Sequence, residues 1–172
     1  MMFASVHSRA DHPLATSLQA VTEVVRAQLG GSTEPTSIHF FGALMSGLDS
    51  ADSSDHWPNL LKLLVLLLVP PSSTQKAAPS LVPASVLRSR YTQAMQVFAG
   101  ILQRGSSLGP AVLRPLILCI GSVLSAQDSN SEFWSIPANK RALMTLTELL
   151  VDERPKVRRA ANDAIHRVLY QQ

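Results

Sequence analysis

Apolar residues recur along one face of a helix between positions 155 and 170. Their spacing follows steps of three and one, as expected for a period of 3.6 residues, at Val157, Ala160, Ala161, Ala164, Ile165 and Val168. Pro155 suits the first position of this helix, because the amide that proline lacks has no partner there. The preceding helix ends on three apolar residues, and Asp152 and Glu153 form the turn between the two helices. The pattern predicts a helical hairpin, which needs neighbours to bury its apolar face.

The same periodicity predicts six more helices along the chain. Their expected bounds are about 14–29, 35–48, 57–69, 84–103, 110–126 and 137–151. Pro115 lies inside one of them and is predicted to kink it. No stretch alternates polar and apolar residues as a strand does, so the chain is predicted to be all-α. Helices of this length fit either a closed bundle or an open solenoid of antiparallel helix pairs, and the pattern alone does not decide between them.

Two stretches fall outside this pattern. Residues 1–13 are polar and aperiodic, which predicts a flexible leader ahead of helical repeats over 14–172. Positions 70–83 hold four prolines among Ser and Ala residues, which predicts a linker within the repeats. The most apolar window, 60–69, contains Lys62 and is half the length of about 20 residues that a membrane helix needs. It predicts a buried helix, and no membrane partner is expected.

Composition adds a second constraint. Charged residues make up 16% of the chain, against about a quarter in ordinary soluble domains, whereas hydrophobic residues make up 46%. Part of the apolar surface is therefore expected to pack against another protein or further repeats. Cys119 is the single cysteine and lies in an apolar run. It is predicted to be a small buried side chain, and the lack of any possible internal disulfide fits a reducing compartment such as the cytosol or nucleus.

The net charge of +3 arises in the C-terminal hairpin. Residues 135–172 hold seven basic and four acidic side chains, whereas residues 1–134 hold eight of each. Lys156, Arg159 and Arg167 are the candidates for contact with an acidic partner, such as the phosphates of RNA. In the alternative interpretation they belong to a solvated face, where Asp163 forms ordinary ion pairs with the two arginines four residues away.

The sequence offers little support for catalysis. The five histidines are scattered without metal-ligand spacing, and neither a Gly-rich phosphate loop nor a nucleophile motif is present. We therefore predict no catalytic, cofactor-binding or metal-binding residue and no small-molecule substrate. Trp57, Tyr91 and Trp134 are expected to pack at helix starts, although aromatic side chains also serve as anchors for partners.

The C-terminal hairpin resembles a HEAT repeat. In that pattern apolar residues end the first helix, followed by Asp, Pro, Val-Arg and small residues at fixed offsets. The matching residues are Leu149, Leu150, Asp152, Pro155, Val157, Arg158, Ala161, Ala164 and Ile165. The resemblance implies an alpha solenoid of HEAT or armadillo type with about seven helices. It also implies an inter-repeat ladder, in which an arginine such as Arg158 bonds to a turn aspartate such as Asp152 of an adjacent repeat.

A wider resemblance extends from about residue 18 to residue 169. Segments 18–26, 40–45 and 155–161, with the region of Trp134, are similar to the N-terminal HEAT region of the ribosomal RNA-processing protein twelve-like family. Members are large nucleolar and nuclear proteins that act in maturation and export of the small ribosomal subunit. They are several times longer than 172 residues, and positions 70–83 are richer in proline than is usual in a HEAT array.

This resemblance implies a non-catalytic scaffold of ribosome biogenesis. Its expected partners are proteins of pre-ribosomal particles and ribosomal RNA, the latter through phosphate contacts. Its expected location is the nucleolus and nucleus, with shuttling to the cytoplasm. The alternative is a generic HEAT or armadillo adaptor, for example in transport, that binds proteins and has no RNA role.

Overall fold

The computed structural model describes residues 34–50, 54–69, 80–103, 108–128 and 130–170. Within these ranges the chain forms eight α-helices and no β-strand, which confirms the all-α prediction. The helices are α1 (Glu34–Ser50), α2 (Trp57–Leu68), α3 (Ala84–Ser89), α4 (Tyr91–Gln103), α5 (Pro110–Ser125), α6 (Ser131–Ser135), α7 (Pro137–Glu148) and α8 (Pro155–Tyr170). Short 3-10 helices cover Ser54–His56 and Leu149–Val151. The predicted leader 1–13 and the predicted helix 14–29 lie outside the described residues.

The long helices form antiparallel pairs that stack in two rows. We call α2, α5 and α8 the tight row, because α5 packs along both α2 and α8, and its contact with α8 is the most extensive between any two described helices. We call α1, α4 and α7 the open row. Its members pack on their partners α2, α5 and α8, and α1 also contacts α4. This stacking of helix pairs is that of an alpha solenoid.

The centre of the core is α5. Pro110 occupies its first turn, where a missing amide costs little, and the helix continues through Pro115. Apolar residues lie on nearly every side of α5, as expected for a helix enclosed by neighbours on both sides. The side chains that it buries include Leu116, Ile117, Cys119, Ile120, Val123 and Leu124. Their burial joins the two halves of the tight row into one core.

Small residues set the distance between α5 and α8. A Cβ atom added to Gly121 would lie 2.6 Å from the Cβ of Ala164 and 2.9 Å from its Cα, closer than real Cβ atoms approach. On α8, Ala160, Ala161 and Ala164 are all buried. The alanine stripe of the C-terminal hairpin therefore packs on a glycine of the preceding pair, and any larger side chain at position 121 must push the helices apart.

Besides small shifts of helix ends, two features of the helix order differ from the sequence prediction. The predicted helix 84–103 is divided into α3 and α4 at Arg90, whose ψ of 11° departs from helical geometry. The short helix α6 was not predicted as a separate element. Asn130 caps its start, since the Asn130 side chain accepts a hydrogen bond of 2.9 Å from the backbone N–H of Phe133. Pro137 then starts α7, so two helices begin within the eight residues from Asn130 to Pro137.

The end of the predicted linker is part of the packed structure. Val82 is 1% exposed and belongs to the core. The backbone N–H of Leu81 donates to the Leu67 carbonyl at 2.9 Å, which ties the segment to the end of α2. Residues 70–79 of that predicted linker lie outside the described residues.

Candidate functional site

The turn between α7 and α8 is held by one arginine. The guanidinium of Arg154 donates to both carboxylate oxygens of Asp152, from Nε to Oδ1 at 2.9 Å and from Nη2 to Oδ2 at 3.0 Å. The backbone N–H of Arg154 donates to the same Oδ1 at 2.9 Å. Its remaining terminal nitrogen, Nη1, donates to the carbonyl of Leu108 at 2.9 Å. Because Leu108 lies just before α5, Arg154 joins the turns of two successive helix pairs.

These hydrogen bonds favour the ionised form of Asp152. They lower the pKa of its carboxyl group from 3.8 to about 2, with the side-chain bond from Arg154 as the largest cause and its backbone bond as the second. The same pairing raises the pKa of Arg154. The two groups therefore remain charged together over the whole physiological pH range.

The three residues of the predicted basic cluster, Lys156, Arg159 and Arg167, differ in exposure. Lys156 and Arg159 are exposed on α8. Arg167 is half-buried, and its Nη1 lies 3.5 Å from the hydroxyl oxygen of Ser122 on α5. Burial lowers the pKa of Arg167, and the charge of Asp163 opposes this effect only in part. The positive charge available to a partner at this face is therefore that of Lys156 and Arg159.

Arg158 lies on the opposite flank of α8 and bonds to its own turn. Its Nη1 donates to the backbone carbonyls of Asp152 and Glu153, at 2.8 and 3.0 Å. A ladder from Arg158 to an adjacent repeat stays a prediction, because residues 104–107 of the preceding turn lie outside the described residues. Among the described residues, the bond that joins the turns of two successive helix pairs comes from Arg154.

A groove of about 570 Å³ lies between α4 and α7 in the open row. In the described part of the chain these two helices do not pack along their lengths, although a side-chain hydrogen bond joins them at one end. Ile120 of α5 reaches the groove from the tight row. The apolar lining includes Met95, Ala99 and Leu102 from α4, and Ala142, Leu146 and Leu149 from α7 and the 3-10 turn that follows it. The groove is a gap in one layer of helices, floored by the other.

A hydrogen-bonded network closes one end of this groove. The Tyr91 hydroxyl donates to Oδ1 of Asn139 at 2.7 Å, and Nδ2 of Asn139 donates to the carbonyl of Phe133 at 2.9 Å. The Phe133 ring also packs on Tyr91, with ring centroids 5.5 Å apart. Burial raises the pKa of Tyr91 to about 12, so the hydroxyl stays a donor. The network links α4, α6 and α7 where the groove begins.

The remaining candidates pack in the core or at helix starts. Cys119 is buried as predicted, and burial raises the pKa of its thiol. Trp57 is 3% exposed, and Trp134 stacks edge-on against Phe133. The described residues contain no group of three or more His, Cys, Asp or Glu side chains that could hold a metal ion. None of the described helices has the length and hydrophobicity required to span a bilayer.

Stacked helix pairs joined turn to turn define an alpha solenoid of the HEAT type, a class of protein that presents long binding surfaces. The chain belongs to the RRP12-like family, because residues 3–172 match the family described as "RRP12-like, N-terminal HEAT repeats". No solved structure matches the chain significantly.

Relatives from animals and yeast are similar along most of the chain. The human RRP12-like protein is 30% identical over 168 residues, which cover 97% of this chain and 12% of the human protein. Ribosomal RNA-processing protein 12 of Saccharomyces cerevisiae is 30% identical over 164 residues, covering 91% of this chain and 13% of the yeast protein. The Drosophila melanogaster RRP12-like protein is 28% identical over 154 residues, covering 89% and 10%. The chain thus spans about an eighth or less of the length of these relatives.

Sequence reasoning missed Arg154 and the groove. The bond from the Arg154 N–H to Asp152 is an Asx-type turn, for which an aspartate after a helix end is a usable signal. The hydrogen bond from Arg154 to the Leu108 carbonyl joins residues 46 positions apart, and no local sequence pattern predicts it. The groove has no sequence signal either, because it depends on the spacing of two helices that are each amphipathic in the ordinary way.

Proposed function

We propose that this chain acts as a non-catalytic HEAT-repeat scaffold in ribosome small-subunit biogenesis, in processing of pre-ribosomal RNA and maturation or export of the pre-ribosome. Family membership supports the ribosomal role, since one relative is named for ribosomal RNA processing. The observation that carries the RNA contact is the pair of exposed cations, Lys156 and Arg159, on the outer side of α8. The proposed location is the nucleolus and nucleus, with shuttling to the cytoplasm.

The proposed mechanism is binding by shape and charge. Lys156 and Arg159 lie three residues apart, so both side chains project from one side of α8 and reach adjacent phosphates. Phosphate contacts position a protein on RNA without selecting a base sequence. In this proposal α8 orients the scaffold on a structured RNA, and the rest of the surface binds proteins of the pre-ribosomal particle.

A salt titration tests the RNA contact. Binding of a structured pre-ribosomal RNA fragment is measured by fluorescence anisotropy between low and physiological salt. Each phosphate contact contributes about 0.7 to 0.9 to the slope of log K against log salt, so the double variant Lys156→Glu with Arg159→Glu should reduce the slope by roughly 1.4 to 1.8.

The control carries the same charge change elsewhere. Lys62 on α2 and Lys140 on α7 are exposed, and the variant Lys62→Glu with Lys140→Glu should keep a slope close to that of the wild type. Equal losses in the two double variants would place the contact away from α8. Absence of binding even at low salt would refute a direct RNA role.

A protein-interaction adaptor without an RNA role, for example in transport, is the second candidate. The apolar groove between α4 and α7 favours it, because such a lining suits protein better than phosphate. Co-sedimentation from cell extracts separates the two candidates. Migration with small-subunit precursors is expected for the proposed function, whereas migration away from all ribosomal precursors is expected for the adaptor.

A further inference from the structure

The groove between α4 and α7 has an apolar lining and a one-sided charge. Among the described residues that line it, the charged ones are Arg88 near the closed end and Arg141 on α7, and none is a carboxylate. Arg141 is exposed. Arg88 donates from Nε to the Ala126 carbonyl at 2.8 Å, and its Nη2 lies 3.4 Å from a carboxylate oxygen of Asp128. Because the Arg88 and Asp128 side chains are 48% and 79% exposed, solvent or a ligand can reach this pair.

The groove has the length of a short helix. Its lining on α4 runs from Tyr91 to Leu102, which corresponds to roughly 17 Å at 1.5 Å per residue. That length accommodates about three turns of a further helix lying beside α4 and α7. At the closed end the hydrogen bond from Tyr91 to Asn139 holds α4 and α7 together without any ligand. Binding therefore needs little reorganisation of this chain.

We propose that this groove binds a short amphipathic helix with acidic flanks, presented by a partner protein. Apolar residues at helical spacing on that segment pack against Met95, Leu102 and Leu146, and an acidic residue pairs with Arg141. This is the helix-in-groove mode of peptide recognition, in which anchors recur at i, i+3 or i+4, and i+7. The inference rests on the lining of the groove alone and stands apart from the proposed RNA contact, which lies on α8.

Two matched pairs of variants test the proposal. Arg141→Glu reverses the charge of the lining arginine on α7, whereas Lys140→Glu makes the same charge change at the adjacent exposed residue, which does not line the groove. Ala99→Glu adds bulk and negative charge to the wall, whereas Gln93→Glu adds the charge at an exposed position of α4 away from the lining. All four positions are on helix surfaces, so the variants should fold.

The probe is a synthetic helical peptide of about 14 residues, with leucines at the anchor spacing and glutamates on both flanks. Its binding to the 172-residue chain is measured by fluorescence anisotropy, beside a peptide with lysines replacing the glutamates. We expect Arg141→Glu to weaken binding about five- to tenfold and Ala99→Glu to abolish it. Lys140→Glu and Gln93→Glu should change the dissociation constant less than about twofold, and the lysine peptide should bind at least about tenfold more weakly.

Three results would overturn the proposal. Equal binding of the acidic and lysine peptides would show that the groove does not select charge. Equal effects of Arg141→Glu and Lys140→Glu would place the peptide elsewhere on the surface. Sedimentation of the free chain as a dimer that Ala99→Glu dissociates would show that a second copy, and not an acidic partner helix, fills the groove. None of these outcomes depends on the RNA titration, so failure here leaves the proposed ribosomal role standing.

Discussion

The contact between Gly121 and Ala164 predicts opposite effects for the same substitution at two glycines. Gly121→Ala places a methyl group where α5 and α8 leave no room, with the nearest atom at 2.6 Å. Gly100→Ala, on α4, places the same methyl group in open space, since no atom lies within 4 Å of its Cβ position. Both glycines are inside helices, so the gain in helix propensity is common to the two variants.

The magnitude follows from the difference between the two sites. Replacing a helical glycine with alanine stabilises by about 1 kcal/mol, which is the expected gain at Gly100. At Gly121 overpacking of a dense core costs about 1–3 kcal/mol, and the contact of 2.9 Å to the Ala164 Cα argues for the upper part of that range because backbone cannot rotate away. The variants should therefore differ by about 2–3 kcal/mol, or roughly 4–12 °C in Tm for a domain of this size.

Thermal and urea unfolding of the two variants and the wild type measure this difference. A third variant, Ala164→Gly, removes the closest contact and leaves the one to its Cα. The loss of unfolding free energy caused by Ala164→Gly should therefore be smaller by at least about 1 kcal/mol in the Gly121→Ala background than in the wild type. Equal stabilisation by Gly121→Ala and Gly100→Ala would refute the reasoning, because it would mean that α5 and α8 are not in close contact.

Three further predictions concern other parts of the fold. Tyr91→Phe leaves Oδ1 of buried Asn139 without its donor and should lower the free energy of unfolding by about 1–2 kcal/mol, as measured by urea denaturation; an unchanged midpoint would contradict the network. Val82→Ala should cost about 2 kcal/mol in the same assay, whereas a true linker residue would cost almost nothing. Because the folded-state pKa of Asp152 is depressed from 3.8 to about 2, its contribution is present above pH 4 and is lost as the pH falls to 2. The Tm advantage of the wild type over Asp152→Asn should therefore shrink across that interval, and a constant advantage would contradict the pairing with Arg154.

Local periodicity was sufficient where a helix has one buried face. The predicted helix 155–170 matches α8 in both bounds, because Pro155 marks its start and the apolar stripe defines the buried side. The division at Arg90 was not predictable in the same way. There the chain turns between α3 and α4 while Leu87 and Arg88 bond to residues about 40 positions away, so tertiary contacts override a continuous apolar pattern.

The candidate site shows the same limit. Lys156 and Arg159 are exposed, as expected from their positions outside the apolar stripe of α8, whereas their contact with RNA stays a prediction. It did not show that Arg167 turns back toward Ser122, which requires the position of α5. The groove could not be predicted, since it depends on how far α4 and α7 separate beyond the end where Tyr91 and Asn139 join them.

The contact at Gly121 also fixes the distance between α5 and α8, so the pairs α4–α5 and α7–α8 can only pivot about this contact. The tight row has no room to shorten there, so bending of the joint must appear as a change in the separation of α4 and α7. The width of the groove therefore varies with the local curvature of the solenoid. A helix bound in the groove would hold α4 and α7 apart. In a solenoid, a small change of angle between two neighbouring repeats displaces distant repeats by a large distance. Binding in a groove about three helical turns long would therefore change the curvature of the solenoid well beyond the binding site.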